Sequence, residues 1–152
     1  MAINQDTYLD TIADGYAGMV ATGETSNRIT RSCEDAGGIG FGKAAFRGSG
    51  DHGCTGTPAS GVGNFLGITI AHEALGLIAG QTADTYAQYD NVAIMALGVI
   101  WVVAGASVAD GEQVYVTSAG AFTNVATSNT ILTGWFFDGT AASGALVKIA
   151  RR

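Results

Sequence analysis

From Gly48 through Val147 the chain has no lysine and no arginine, a hundred consecutive residues whose only charges are acidic. Such a stretch cannot wrap nucleic acid, because phosphates need cations to replace their counterions. Nor can it guard sheet edges with lysine, the usual device of natural β-proteins. Within it the apolar residues come as short runs between glycines. Phe65, Gly67, Thr69 and Ala71 alternate with Leu66, Ile68 and Ile70, the period of two expected of a strand. The run Val92 to Ala109 has no charge in eighteen residues. Gly98 and Gly105 interrupt it, Ser107 dilutes it, and Val92, Ile94, Val99, Ile100, Val102 and Val103 are β-branched, so buried strands are expected rather than a membrane helix. Gly98 divides that run or marks a bulge.

The remaining strands follow at short intervals. Asp110-Gly111 is a turn pair before Val114-Tyr115-Val116, and Thr117 to Gly120 connects to Ala121-Phe122 as a hairpin. Ile131-Leu132 and Trp135-Phe136-Phe137 come next, then Asp138-Gly139 and a glycine-bearing loop. A last strand, Ala145 to Ile149, puts Ala145, Val147 and Ile149 on one face and Leu146 and Lys148 on the other. Gln81 to Gln88 reads as a polar loop. Strands at this spacing predict an all-β fold, a small antiparallel β-sandwich or barrel, jelly-roll-like or β-tulip-like. The 152 residues suit one domain, and 47% hydrophobic content argues against disorder.

The first third is less regular. Residues 1–27 are expected to form an N-terminal arm, extended or partly helical, ahead of a β-domain over 28–152. Tyr8, Leu9, Ile12 and Tyr16 fit one face of a short helix, which Gly15 and Gly18 would weaken. The polar, acidic start lacks the basic and apolar blocks of a secretory signal. Neither export nor a membrane span is therefore expected.

Several motifs invite a chemical reading. Gly37 to Ala44 matches a phosphate loop at two glycines and Lys43, but the position that should carry a magnesium-binding hydroxyl is Ala44. A polar stretch precedes it and glycines follow, so a turn within β-structure is expected. Cys33, His52, Cys54 and His72 could supply zinc ligands, yet the cysteines are too far apart in sequence for a finger. No third group is indicated that would make Cys54 and a histidine a nucleophile pair. The carboxylates are scattered singly. No enzyme, cofactor or metal is expected. The cations Arg28, Arg31, Lys43 and Arg47 suit carboxylates or an acidic partner surface, against a net charge of −6.

The ordered series of segments nevertheless has a likeness. Arg28 to Gly42, Phe65 to Ile70, Tyr86 to Met95, Gly98 to Val103, Gly111 to Thr117 and Gly120 to Thr123 together resemble the structural cement proteins that decorate tailed-phage capsids. Gly15 to Val20 is similar to that family's N-terminal arm. The resemblance implies a virion protein on the outer capsid surface, made in the host cytoplasm, without catalytic residues and binding the major capsid protein. The missing cations and the interrupted apolar run predict that neither nucleic acid nor membrane is a partner. It gives Cys33 and Cys54 no role. The lysine-free strands need their edges covered, which points to a homo-oligomer, and shell symmetry points to a trimer rather than a dimer. The expected capsid or subunit contacts are Tyr8, Leu9, Ile12, Tyr16, Arg28, Arg31, Trp101 and Trp135. Plain core packing competes for the two tryptophans. Phe136 and Phe137 are further candidate anchors. A carbohydrate- or cell-surface-binding β-sandwich is the other reading, with Tyr86, Gln88, Tyr89 and Asp90 as its loop residues.

Overall fold

The computed structural model describes residues 14–58, 63–72 and 82–152, which form eleven strands and no helix. The N-terminal half supplies Asn27–Cys33 (β1), Ile39–Gly40 (β2), Ala44–Arg47 (β3), Gly53–Thr55 (β4), Phe65–Thr69 (β5) and Thr85–Tyr86 (β6). Asn91–Val103 (β7) is the longest, at 13 residues. Gln113–Val116 (β8), Phe122–Thr123 (β9), Thr130–Phe137 (β10) and Leu146–Arg151 (β11) complete the chain. The expected all-β fold is what the residues build.

β7 organises the rest. Its first half pairs antiparallel with β1, placing Ile29 opposite Ile94, and with β5, placing Ile68 opposite Met95. β5 continues to β3 and β3 to β4, which returns to β1. Five strands thus close into a ring. Its last joint, Ser32 opposite Gly53 and Cys33 opposite Cys54, is parallel, a departure from a wholly antiparallel architecture. The chain must pass through β2 and β3 between those strands, and that crossover permits the parallel pairing. The second half of β7 pairs with β11, followed by β10, β8 and β9. A bridge from Ala104 to Phe122 brings β9 back beside the end of β7, where the Gly105 amide donates to the Phe122 carbonyl at 2.7 Å.

Gly98 is the hinge between these two halves. Before it, Val92 and Ile94 face a smaller core with Cys33, Ala45, Cys54 and Leu66, while Met95 faces the larger one. After it, Ile100 and Val102 face the larger core. A regular strand cannot present Met95 and Ile100 to the same side, because side chains alternate with period two. Gly98 resets the alternation at φ 134, a conformation side chains rarely adopt. A Cβ there would meet Met95 Sδ at 2.9 Å and Ser26 Cβ at 3.0 Å. The run is therefore bulged and continuous, not divided.

The larger core draws Phe46 and Ile68 from the ring and Phe122, Leu132, Trp135 and Phe137 from the second half. The segment read as a polar loop before Tyr89 contains a strand. Tyr86 is fully buried in β6 opposite Ile39 of β2, because its hydroxyl donates to the Ile70 carbonyl at 2.6 Å and its ring meets Phe41 edge-on. Burial keeps that phenol neutral, with its pKa above the ordinary value. The phosphate-loop look-alike is the β2 turn leading into β3, as expected of β-structure.

Candidate functional site

The expected contact residues divide into three groups. Tyr8, Leu9 and Ile12 lie outside the described residues. Trp135 is wholly enclosed by the chain's own core, so it leaves the interface set. Phe137 is buried with it, because strand alternation sends both inward and leaves Phe136 outside at 44% exposure.

The chain around Tyr16 passes beside Trp101. Residues 18–21 run along the free edge of β7: the Gly18 amide donates to the Trp101 carbonyl at 2.8 Å and the Ala21 amide to the Val99 carbonyl at 3.0 Å. The chain before them passes over the Trp101 indole, where a Cβ on Gly15 would approach Cδ1 to 2.8 Å. Only a residue without a side chain fits there. No helix forms over 14–26, since the backbone groups of this stretch are spent on β7. Lys148, opposite Trp101 on β11, holds its ammonium 5.8 Å from the indole centroid.

The outer face of the second half extends from this point. Val103 opposes Leu146, and Phe136 opposes Ala150. Trp101, Val103, Leu146 and Phe136 thus share an apolar face whose strand-borne charge is Lys148, and exposed Tyr16 follows Gly15 where the chain passes over Trp101. Val103 is 41% and Tyr16 47% exposed. Beside Phe136, a hollow of about 370 Å³ is lined by Asp110, Asp138 and Arg152. Arg152 is paired there with Glu24 at 3.0 Å and Asp138 at 3.4 Å, which raises its pKa further.

Arg28 and Arg31 lie apart, on β1. Arg28 is exposed and its Nε donates to Ser26 Oγ at 3.2 Å. Arg31 donates from a terminal nitrogen to the Thr30 carbonyl at 3.1 Å, while its buried Nε has no hydrogen-bond partner among the described residues. Neither pairs with a described carboxylate.

The chemical candidates resolve differently. Cys33 and Cys54 are free, buried and adjacent, whereas His52 and His72 are exposed. Among the described residues no three histidines, cysteines or carboxylates gather to hold a metal. Desolvation raises the pKa of Cys33, and it pushes Cys54 up to about 12, so neither is an activated nucleophile at neutral pH. Glu34 and Asp35 are structural. The Glu34 carboxylate accepts from the Ser49 and Gly50 amides at 2.6 and 2.8 Å, and Asp35 accepts from the Gly56 amide at 2.7 Å. The saccharide-site residues are mostly consumed within the fold. Tyr86 is buried, Asp90 accepts from the Ala87 amide at 2.8 Å, and Gln88 donates to the Glu34 carbonyl at 3.3 Å. That leaves Tyr89 as the exposed aromatic of the four, and one ring is a poor platform for a sugar.

The family described as structural cement protein (E217 gp24/Pam3 gp6) matches residues 4–152. Among solved structures, a chain from the capsid of Myoviridae phage XM1 superposes with a TM-score of 0.73 at 18% identity, over 99% of this chain and 97% of that one. The head fiber gp8.5 N base of bacteriophage phi29 aligns over 84% of this chain and 95% of its own, with a TM-score of 0.48 at 14% identity. No curated protein matches in sequence. The first likeness places the fold; the second is too distant to carry an argument.

Proposed function

The chain belongs to the phage structural cement protein family, and from that premise we propose that it binds the outside of an assembled capsid and clamps neighbouring capsid subunits together. It is a virion structural protein. The mechanism we propose is mechanical. Each copy buries the outer apolar face against capsid protein, and burial on the order of 1,000 Å² or more per contact opposes separation of the subunits beneath. Identical contacts repeated over a shell add through avidity.

The observation that carries this reading is the face built from Trp101, Val103, Leu146 and Phe136, with Tyr16 where the chain passes over Trp101. Tyr16, Val103 and Phe136 stand exposed there and Trp101 and Leu146 half-buried, while 28 hydrophobic residues among those described are buried. Aromatic side chains beside one cation are the composition of interface anchors. Tyr8, Leu9 and Ile12 of the N-terminal arm are assigned to the same capsid contact, since the chain that follows them passes over Trp101 at Gly15. Arg28 and Arg31 offer cations to acidic capsid loops. The active form is a homo-oligomer, a trimer matched to local shell symmetry. Partner binding requires neither nucleic acid nor membrane.

Cosedimentation with empty capsids tests the proposal. Val103→Asp and Phe136→Asp change exposed positions, so they should lower shell occupancy at least tenfold without altering the unfolding midpoint. Removal of residues 1–13 should weaken binding while sparing the hydrogen bonds of Gly18 and Ala21. Unchanged occupancy in all three variants would reject the proposed surface. Light scattering that returns a monomer at micromolar concentration would reject the trimer.

A further inference from the structure

Two side chains have no part in that reading. Cys33 ends β1 and Cys54 is central in β4, and they are direct partners in the one parallel joint of the ring. The Glu34 amide donates to the Cys54 carbonyl at 2.9 Å, which fixes the register. Partners across a ladder point to the same side, and both cysteines do lie in the smaller core with no exposure. Neighbouring strands run about 4.8 Å apart, within the 4.4–6.8 Å between Cα atoms that a disulfide spans. We propose that Cys33 and Cys54 form a latent cross-strand disulfide that, once oxidised, locks β1 to β4 and closes the ring covalently.

The joint is one of the short ones, where a lock has an effect. β1 and β4 share two ladder pairs, against six between β1 and β7. The β3–β4 and β5–β7 joints also have two each, so it is among the places where the ring opens most readily. Both thiols stay protonated and enclosed in the closed ring, so oxidation proceeds through such openings. One sulfur, deprotonated in the open state, attacks the disulfide of oxidised glutathione and expels glutathione thiolate, giving a mixed disulfide. The second sulfur, also deprotonated, attacks that bond and expels the second glutathione. Two protein S–H bonds and one glutathione S–S bond are lost; one protein S–S bond and two glutathione S–H bonds form. The protein gives up two electrons and oxidised glutathione gains them. Host cytoplasm keeps such thiols reduced, whereas a released particle meets oxidising surroundings. The chemistry is independent of the capsid; its use as a lock after release rests on the cement reading.

The test uses the reduced full-length protein with oxidised glutathione at about pH 8.5. The temperature is one at which iodoacetamide alone modifies both cysteines, so access is not limiting. The expected product is about 2 Da lighter, resists alkylation after denaturation and regains its mass with reductant. Cys33→Ser and Cys54→Ser should each fail to lose that mass. The oxidised form should unfold at a midpoint higher by roughly 5 °C or more. Two glutathione adducts, two alkylated thiols or an unmoved midpoint would overturn the proposal. Loss of capsid binding with the disulfide intact would instead strike at the cement reading alone.

Discussion

Gly18 carries more of the structure than its sequence context suggests. Its φ is 84, and a Cβ would meet the backbone nitrogens of Ala71 and Gly42, each at 2.8 Å. Three backbone segments cross there, bonded by the Ala71 amide to the Gly18 carbonyl at 2.8 Å. Gly18→Ala should cost about 2 kcal/mol, read from urea unfolding; a loss below a few tenths would mean that the crossing relaxes freely. From the sequence, Gly18 reads as a residue that weakens a helix. The residues that demand a glycine are remote in the chain, so no local pattern could expose the reason. Glu34 is a second such case. Its two backbone amides lower its pKa, which makes the carboxylate form stabilising. A lowered pKa contributes stability that is present above the ordinary value of 4.5 and is lost as pH falls through the lowered one. The Ser49 and Gly50 amide resonances should therefore move together in acid. Glu34→Gln should abolish that movement, and persistence of the transition in the variant would assign it to another group.

At the scale of elements, β7 decides whether the two halves act as one. It belongs to the ring up to Leu97 and to the second sheet from Gly98. Gly98→Val forces a side chain against Met95 and Ser26 and should cost about 2–3 kcal/mol. Because the strand is shared, calorimetry should still record a single transition at a lower temperature. Two separated transitions would mean that the halves fold independently. Much of this layer is legible from the sequence: alternation identifies β5, β8 and β11, and the uncharged run identifies β7. What alternation cannot give is partnership. The parallel joint of β1 with β4 and the two-residue pair of β2 with β6 depend on contacts between distant segments, and strands so short carry no period of their own. The same limit hid Tyr86, whose polar neighbours suggest a loop while its own hydroxyl is satisfied by a carbonyl sixteen residues away.

Seen as a whole, the molecule answers its missing lysines internally. Ring closure covers the edges of β3, β5 and β7, and β11, β10 and β8 each have a neighbour on both sides. The case for an oligomer made from uncovered edges therefore gives way to the proposal built on the exposed face, where side chains rather than strands would meet a partner. A closed fold also predicts how trypsin behaves. Its sites are confined to residues 28–47 and 148–152, and most lie on β1, β3 or β11, within the paired sheet. Arg47 is further tied down by its Nε donating to the Gly63 carbonyl at 2.9 Å. Digestion of the native protein should be confined to the C-terminal arginines, with cleavage after Lys43 and Arg47 slower by roughly a hundredfold or more than in urea. Rapid release of a fragment beginning at Gly48 would show that β3 detaches readily. A subunit with so loose a ring could not transmit force between capsid subunits as proposed, so the digestion tests the mechanical premise without any capsid present.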